Sequence, residues 1–191
     1  MDVITLLKKD HKMVKKLFEE FNTLKSNKVQ KKADVIAQIK EALTVHAQVE
    51  EELVYSAFME HRSMKKQVSE ALEEHHVTKT LLTELDALQP DDERYDAKVK
   101  VLCEYLMHHV KEEEKGMFPE AQKRLSGKRL AALGEEVEAR RSKLLEGDED
   151  GGQHEGVSME EQERETLEDM EEEGGSIIEK EKGQSSRHRA A

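Results

Sequence analysis

Six polar side chains sit where four helical segments should be apolar: His11, His46, Glu50, His75, His109 and Glu113. His46 and Glu50 stand four positions apart, as do His109 and Glu113, so each pair shares one face of a helix. The set is duplicated. His11 to His75 spans 64 positions, and both His46 to His109 and Glu50 to Glu113 span 63. The surrounding text repeats as well: Asp10 precedes His11 as Glu74 precedes His75, and Tyr55 follows His46 by nine positions as Phe118 follows His109. Two helical hairpins of one design are implied, each supplying a His and then His-x3-Glu.

Burying an imidazole without a partner costs on the order of a few kcal/mol, and a carboxylate costs more. Four imidazoles and two carboxylates converging in a bundle core therefore read as a dinuclear metal site, with histidines as terminal ligands and the two glutamates able to bridge. Nitrogen and oxygen donors without thiolate suit iron, manganese or zinc rather than copper(I). The alternative, core histidines satisfied by hydrogen bonds to carboxylates, accommodates one His–Glu pair easily and a duplicated set poorly.

The elements that must position these residues are legible from apolar spacing. Ile4, Leu7, His11, Val14, Phe18 and Phe21 alternate at three and four positions, which predicts a first helix over about 2–24. Ile39, Leu43, His46, Glu50, Leu53 and Ala57 predict a second over about 29–60. Val68, Leu72, His75, Leu82 and Leu85 predict a third, with Ser63 as its cap. Gln89-Pro90-Asp91-Asp92 marks a turn, and Tyr95, Val99, Leu102, Leu106, His109 and Glu113 form the fourth stripe, which Gly116 and Pro119 should end or kink. Short connections favour antiparallel neighbours, so the expected fold is all-α, an up-down-up-down four-helix bundle built from two repeated hairpins. The bundle is expected over 1–120 and an accessory C-terminal helix over 121–145. An acidic, largely disordered tail is expected over 146–191, where apolar residues are too sparse to offset ordering entropy.

His11, the pair His46 and Glu50, His75, and the pair His109 and Glu113 together resemble the hemerythrin-like HHE cation-binding domain, over about residues 1–120. The resemblance implies a four-helix bundle with a non-haem di-iron centre. Its imidazoles would be terminal ligands, its two carboxylates would bridge the irons, and dioxygen or nitric oxide would be the small diatomic partner. Oxygen-carrying hemerythrins place another histidine four positions after the first ligand of the third helix, where this chain has Lys79. They also use an aspartate five positions after the last histidine, where this chain has Glu113 at four. The pattern thus follows the HHE variant rather than the oxygen carriers. The expected role is binding or sensing of dioxygen, nitric oxide or iron. The alternatives are a di-iron enzyme acting on peroxide or nitric oxide, or an iron donor for repair of iron–sulfur centres.

Neighbouring residues need a register. The stripes select His75 over His76 and His109 over His108, leaving His76 and His108 as flanking residues. His61 reads as a helix-terminal surface residue. Glu51, Glu52, Glu112 and Glu114 read as solvated charges, one of which could hold a ligand imidazole. Tyr55 and Phe118 read as core aromatics, and the lone Cys103 as a small buried apolar group rather than a reactive thiol.

Composition bounds the rest. Charged residues make up 39% and aromatics 4% of 191 residues, with two Pro and no Trp, a profile of long helices rather than sheets. No apolar run approaches a membrane span, and one cysteine excludes an internal disulfide, so a cytoplasmic protein is expected. Of the net charge of −12, residues 146–191 carry −11, with 16 acidic and 5 basic side chains. Residues 1–145 are nearly neutral, from which neither a nucleic-acid nor a membrane partner is expected. The acidic tail is the candidate surface for a protein partner.

Overall fold

The computed structural model describes residues 1–25 and 27–146, and every regular element among them is helical. Helix α1 covers Val3–Thr23, capped by Asp2, whose Oδ1 accepts from the Thr5 N–H at 3.1 Å. Helix α2 comprises Val29–Val49, a π-helical turn Glu50–Val54 and a final stretch Tyr55–Met59. Helix α3 covers Lys65–Asp86. Helix α4 comprises Tyr95–Glu112, a second π-helical turn Glu113–Met117 and Phe118–Arg124. Helix α5 covers Gly127–Glu146. The fold is the expected helical bundle with an additional C-terminal helix. The acidic tail lies outside the described residues.

Two local expectations need correction. Ser63 does not cap α3: the buried Met64 occupies the cap position without a side-chain bond. Gly116 and Pro119 do not end α4 either. Gly116 lies inside the π turn, and Pro119 falls in the first turn of Phe118–Arg124, where a missing N–H costs little.

Apolar residues form two separate cores, with the polar residues between them. At one end Ile4, Leu7, Tyr55, Phe58, Val68 and Phe118 pack with Leu133 and Val137 of α5. At the other, Phe18, Ile39, Leu43, Leu82, Leu102 and Leu106 fill the space between α1, α2, α3 and α4. Each core fastens the helices on one side of the centre, so the histidines need not hold the bundle together themselves.

Helix α5 lies against α1 and α2, and meets the start of α1 through a very close approach at Gly134. A Cβ placed there would stand 2.1 Å from the Met1 carbonyl oxygen and 3.1 Å from the Val3 nitrogen, both backbone atoms that cannot swing away. Gly134→Ala is therefore expected to push α5 off the α1 N-terminus and cost about 1–3 kcal/mol. Equilibrium unfolding in urea would register this as a lower midpoint. An unchanged midpoint would show that α5 contributes nothing there.

Candidate metal centre

The four histidines enter the space between the two cores from four different helices: His11 from α1, His46 from α2, His75 from α3 and His109 from α4. All four are buried, and Glu50 and Glu113, at 0% and 1% exposure, lie as deep as His109 and deeper than the other three. His46 Nε2 lies 3.1 Å from Glu50 Oε2, and His75 Nε2 lies 3.4 Å from the same oxygen. Glu113 Oε2 stands 3.1 Å from His11 Nε2 and 3.5 Å from His109 Nε2. Donor atoms fall into two groups, each within 4.8 Å: His11, His46, Glu50 and Glu113 in one, and Glu50, His75 and His109 in the other. Glu50 belongs to both; Glu113 falls in the first group only, although its Oε2 also lies 3.5 Å from His109 Nε2 of the second.

The outward ring nitrogens show what orients these imidazoles. Every Nδ1 faces a carboxylate: His11 with Glu114 at 2.9 Å, His46 with Asp10 at 3.4 Å, His75 with Glu51 at 2.8 Å and His109 with Glu74 at 2.7 Å. An Nδ1–H donating outward leaves Nε2 directed at the centre, the tautomer that metal ligation requires. The four supports obey the internal repeat. Asp10 and Glu74 each immediately precede a histidine, while Glu51 and Glu114 each immediately follow a bridging-position glutamate. Of the four glutamates expected to be solvated, with one able to hold an imidazole, both Glu51 and Glu114 do so, and Asp10 and Glu74 are two further supports. Their signal was the duplication itself, which pairs Asp10 with Glu74 and Glu51 with Glu114. Arg141 of α5 in turn pairs with Asp10, adding the accessory helix to the support of His46.

The π turns were not foreseen. Each begins at a core glutamate, and each is closed by a bond five residues long: Tyr55 N–H to the Glu50 carbonyl, and Phe118 N–H to the Glu113 carbonyl. The extra residue per turn brings an aromatic ring to each side of the centre. Phe118 stacks on His11 with ring centroids 5.9 Å apart and planes 8° apart. Tyr55 does more than fill the core, since its O–H donates to Glu113 Oε1 at 2.7 Å and lies 3.5 Å from His75 Nε2. His76 and His108 are exposed, as their register requires, and Cys103 is half-buried, with burial pushing its thiol pKa up.

Among the described residues Glu50 Oε1 is buried without a hydrogen-bond partner, and His11 Nε2 and Glu113 Oε2, although 3.1 Å apart, are poorly aligned for a hydrogen bond to each other. Orphaned acceptors in a buried carboxylate are costly, and a cation between the carboxylates and the four Nε2 atoms would satisfy all three. The donor set therefore fits a metal pair. Beside it, a cavity of about 140 Å³ lies against His46, His75 and His109, walled by Leu43, Ala47, Leu82 and Leu106.

Residues 2–121 match the hemerythrin HHE cation-binding domain family, more than half of the chain. The chain belongs to that family. A solved HHE cation-binding domain-containing protein from Mycobacterium kansasii shares the fold with a TM-score of 0.67 at 22% identity, covering 75% of this chain and 86% of that one. A curated relative from Nostoc sp. (strain PCC 7120 / SAG 25.82 / UTEX 2576), named a DNA nickase, is 29% identical over 144 residues. That alignment covers 75% of this HHE chain but 40% of the relative, so the chain spans less than half the relative's length. Its name overturns the expected partner set, a diatomic ligand with nucleic acid excluded. The exclusion rested on the near-neutral sum over residues 1–145, and a sum says nothing of where lysines cluster. Membrane spanning is a separate matter: among the described residues no helix is long and apolar enough to cross a bilayer.

In the metal-free protein the centre carries its own charge pattern. Burial pushes the His11 pKa down, but Glu113, Glu50 and Glu114 push it up further, to about 9. Burial likewise opposes the carboxylates Glu50, Glu51 and Glu113 at His75, which also ends near 9. At Glu113 burial raises the pKa, while His11, His109 and His46 draw it down to about 2. The histidine contributions to stability are complete below the ordinary value of 6.5 and fade as pH rises through about 9. The Glu113 contribution is complete above 4.5 and fades as pH falls through about 2. Metal-free protein is thus expected to melt highest between about pH 4.5 and 6.5 and lower near pH 9. Metal needs Nε2 unprotonated, so the stabilisation by added metal should grow over that interval. Melting curves of metal-free and metal-loaded protein at the two ends check both trends. A metal-free melting temperature that rises toward pH 9 would contradict them.

Proposed function

We propose that this HHE domain holds a non-haem di-iron centre, with His11, His46, His75 and His109 as nitrogen ligands and Glu50 and Glu113 as shared carboxylates. Its role in this reading is to bind iron and respond to its oxidation state, with peroxide reduction as the enzymatic form of the same chemistry. One observation carries the proposal: four imidazoles are each tied through Nδ1 to a carboxylate, and their Nε2 atoms face two buried carboxylates that retain orphaned oxygens. Nitrogen and oxygen donors in a closed space suit iron, and when bound it would supply one-electron steps between ferrous and ferric states. The chain's own groups orient the ligands and hold a proton on the Tyr55 oxygen beside Glu113. Their apolar surroundings limit access to something as small as peroxide. A cytoplasmic setting fits a chain with a single cysteine.

Reconstitution with ferrous iron under nitrogen, followed by peroxide, tests the reading. Two irons per chain and new ferric absorption are expected. Sustained peroxide consumption with a reductant would make the domain an enzyme, and one stoichiometric oxidation would make it a sensor. Failure to retain iron would end both.

A second reading is nucleic-acid strand cleavage, favoured by the name of the Nostoc relative. A bound metal pair is chemically competent to assist phosphodiester hydrolysis. Nicking of supercoiled plasmid by metal-loaded protein, abolished by chelator, is the expected result for this reading.

A further inference from the structure

Helices α1 and α4 face each other across the seam between the two hairpins, and there they leave a groove of about 620 Å³. Five lysines line it: Lys8, Lys12 and Lys15 from α1, and Lys111 and Lys115 from α4. All five are exposed, and none has a carboxylate within ion-pair distance among the described residues. Two of the nearby acidic groups are engaged elsewhere. Glu114, on the groove wall, accepts from the ring of His11, and Asp10 pairs with Arg141. The floor is Met107, Val110 and the edge of His11.

We propose that this groove is a binding site for the phosphodiester backbone of a nucleic-acid strand. Lys8, Lys12 and Lys15 stand at intervals of four and three residues, about 6 Å and 4.5 Å along the helix, and Lys111 and Lys115 repeat the wider interval opposite. Two facing rows of flexible point charges at that pitch suit a linear chain of regularly spaced monoanions rather than one compact anion, which a fork of arginines would hold better. The floor has no Phe, Tyr or Trp on which a base could stack, so contact is with the backbone and independent of sequence. A lipid surface is disfavoured by the absence of exposed large apolar residues in the groove. Met1, Met13, Val77, Val101 and Leu145, the exposed ones among the described residues, do not line it. The inference rests on the nucleic-acid reading above for its choice of polyanion, and no part of it needs the metal.

The test uses the full chain, metal-free and metal-loaded, with a fluorescein-labelled 20-nucleotide single strand of mixed sequence, followed by anisotropy across a salt series. Lys12→Ala/Lys111→Ala removes one charge from each wall. Lys28→Ala/Lys31→Ala removes two exposed, unpaired lysines at the start of α2 and serves as the control. Salt-dependent binding by the wild type is expected. The groove pair should weaken it about tenfold or more and lower the slope of log K against log salt by about 1.4, with the control near wild type. Equal losses from both pairs would overturn the proposal. So would equal affinity for phosphatidylserine vesicles or polyglutamate, or no binding by the full chain. Plasmid nicking measured on the same samples separates the two claims. Binding without nicking leaves the groove standing and removes the nickase reading, while nicking that the groove pair does not slow removes the groove.

Discussion

Replacing Glu113 with Gln is expected to lower the bound metal from two ions per chain to one or none. The substitution keeps size and shape, and the amide oxygen can still accept from Tyr55, so the packing around Phe118 and Met117 should survive. What disappears is a negative charge buried at 1% exposure between His11 of α1 and His109 of α4. Two carboxylates are all the anionic charge that faces the four Nε2 atoms. Losing one of them leaves a metal pair with most of its charge uncompensated in a medium where such charge is expensive. Perturbing a carboxylate that merely supports a ligand typically costs 10–100-fold in metal affinity, and a shared ligand should cost at least the upper end of that range. Metal analysis after gel filtration gives the stoichiometry. Melting with and without ferrous iron gives a second, independent reading: wild type at 1,000-fold excess over Kd should gain about 4 kcal/mol, and Glu113→Gln should gain little. Glu51→Gln, which alters a support at the outer nitrogen of His75, should retain two ions with weaker affinity.

Phe118→Ala is expected to be the most destabilising single truncation near the centre, at about 3–5 kcal/mol. Phe118 is fully buried, belongs to the core that joins all five helices, and stacks flat on His11. It also sits where the second π turn hands back to regular helix, so its loss opens a cavity beside the least regular stretch of α4. For a domain of this size the melting temperature should fall by on the order of 10 °C. Phe118→Leu should recover most of that loss, because volume is largely restored. Metal stoichiometry at saturating iron should remain two for the leucine variant, which distinguishes a packing residue from a ligand. A Phe118→Ala protein as stable as wild type would contradict the packing role assigned to this ring.

The four helices and the histidines within them were legible because apolar spacing of three and four is a direct readout of helix geometry, and a His or Glu interrupting such a stripe stands out against it. The duplicated offsets then singled out His75 from His76 and His109 from His108, and the structure buries the first of each pair while exposing the second. Less visible was what supports the ligands. Glu51 sits beside two other glutamates and Glu114 beside two more, and a run of like charges on a polar face gives no sign of which member turns inward. The choice is made in three dimensions, when the outward nitrogen of an imidazole on another helix comes within 3 Å.

The π turns were hidden for a different reason. A bond from Tyr55 to Glu50, or from Phe118 to Glu113, changes helix phase by one residue while leaving the ligand spacing untouched. Gly116 and Pro119 registered as breakers when they mark a turn that the helix passes through. The lysine groove was lost to averaging, because a net charge near zero conceals five like charges gathered from two helices that touch through only part of their length.

X-ray absorption at the iron edge on the reconstituted 191-residue chain tests the central claim most directly. A second iron at about 3–4 Å, with a first coordination sphere of nitrogen and oxygen alone, is the predicted result. A single isolated iron, or sulfur in the first sphere, would contradict the two-metal site assigned to His11, His46, Glu50, His75, His109 and Glu113.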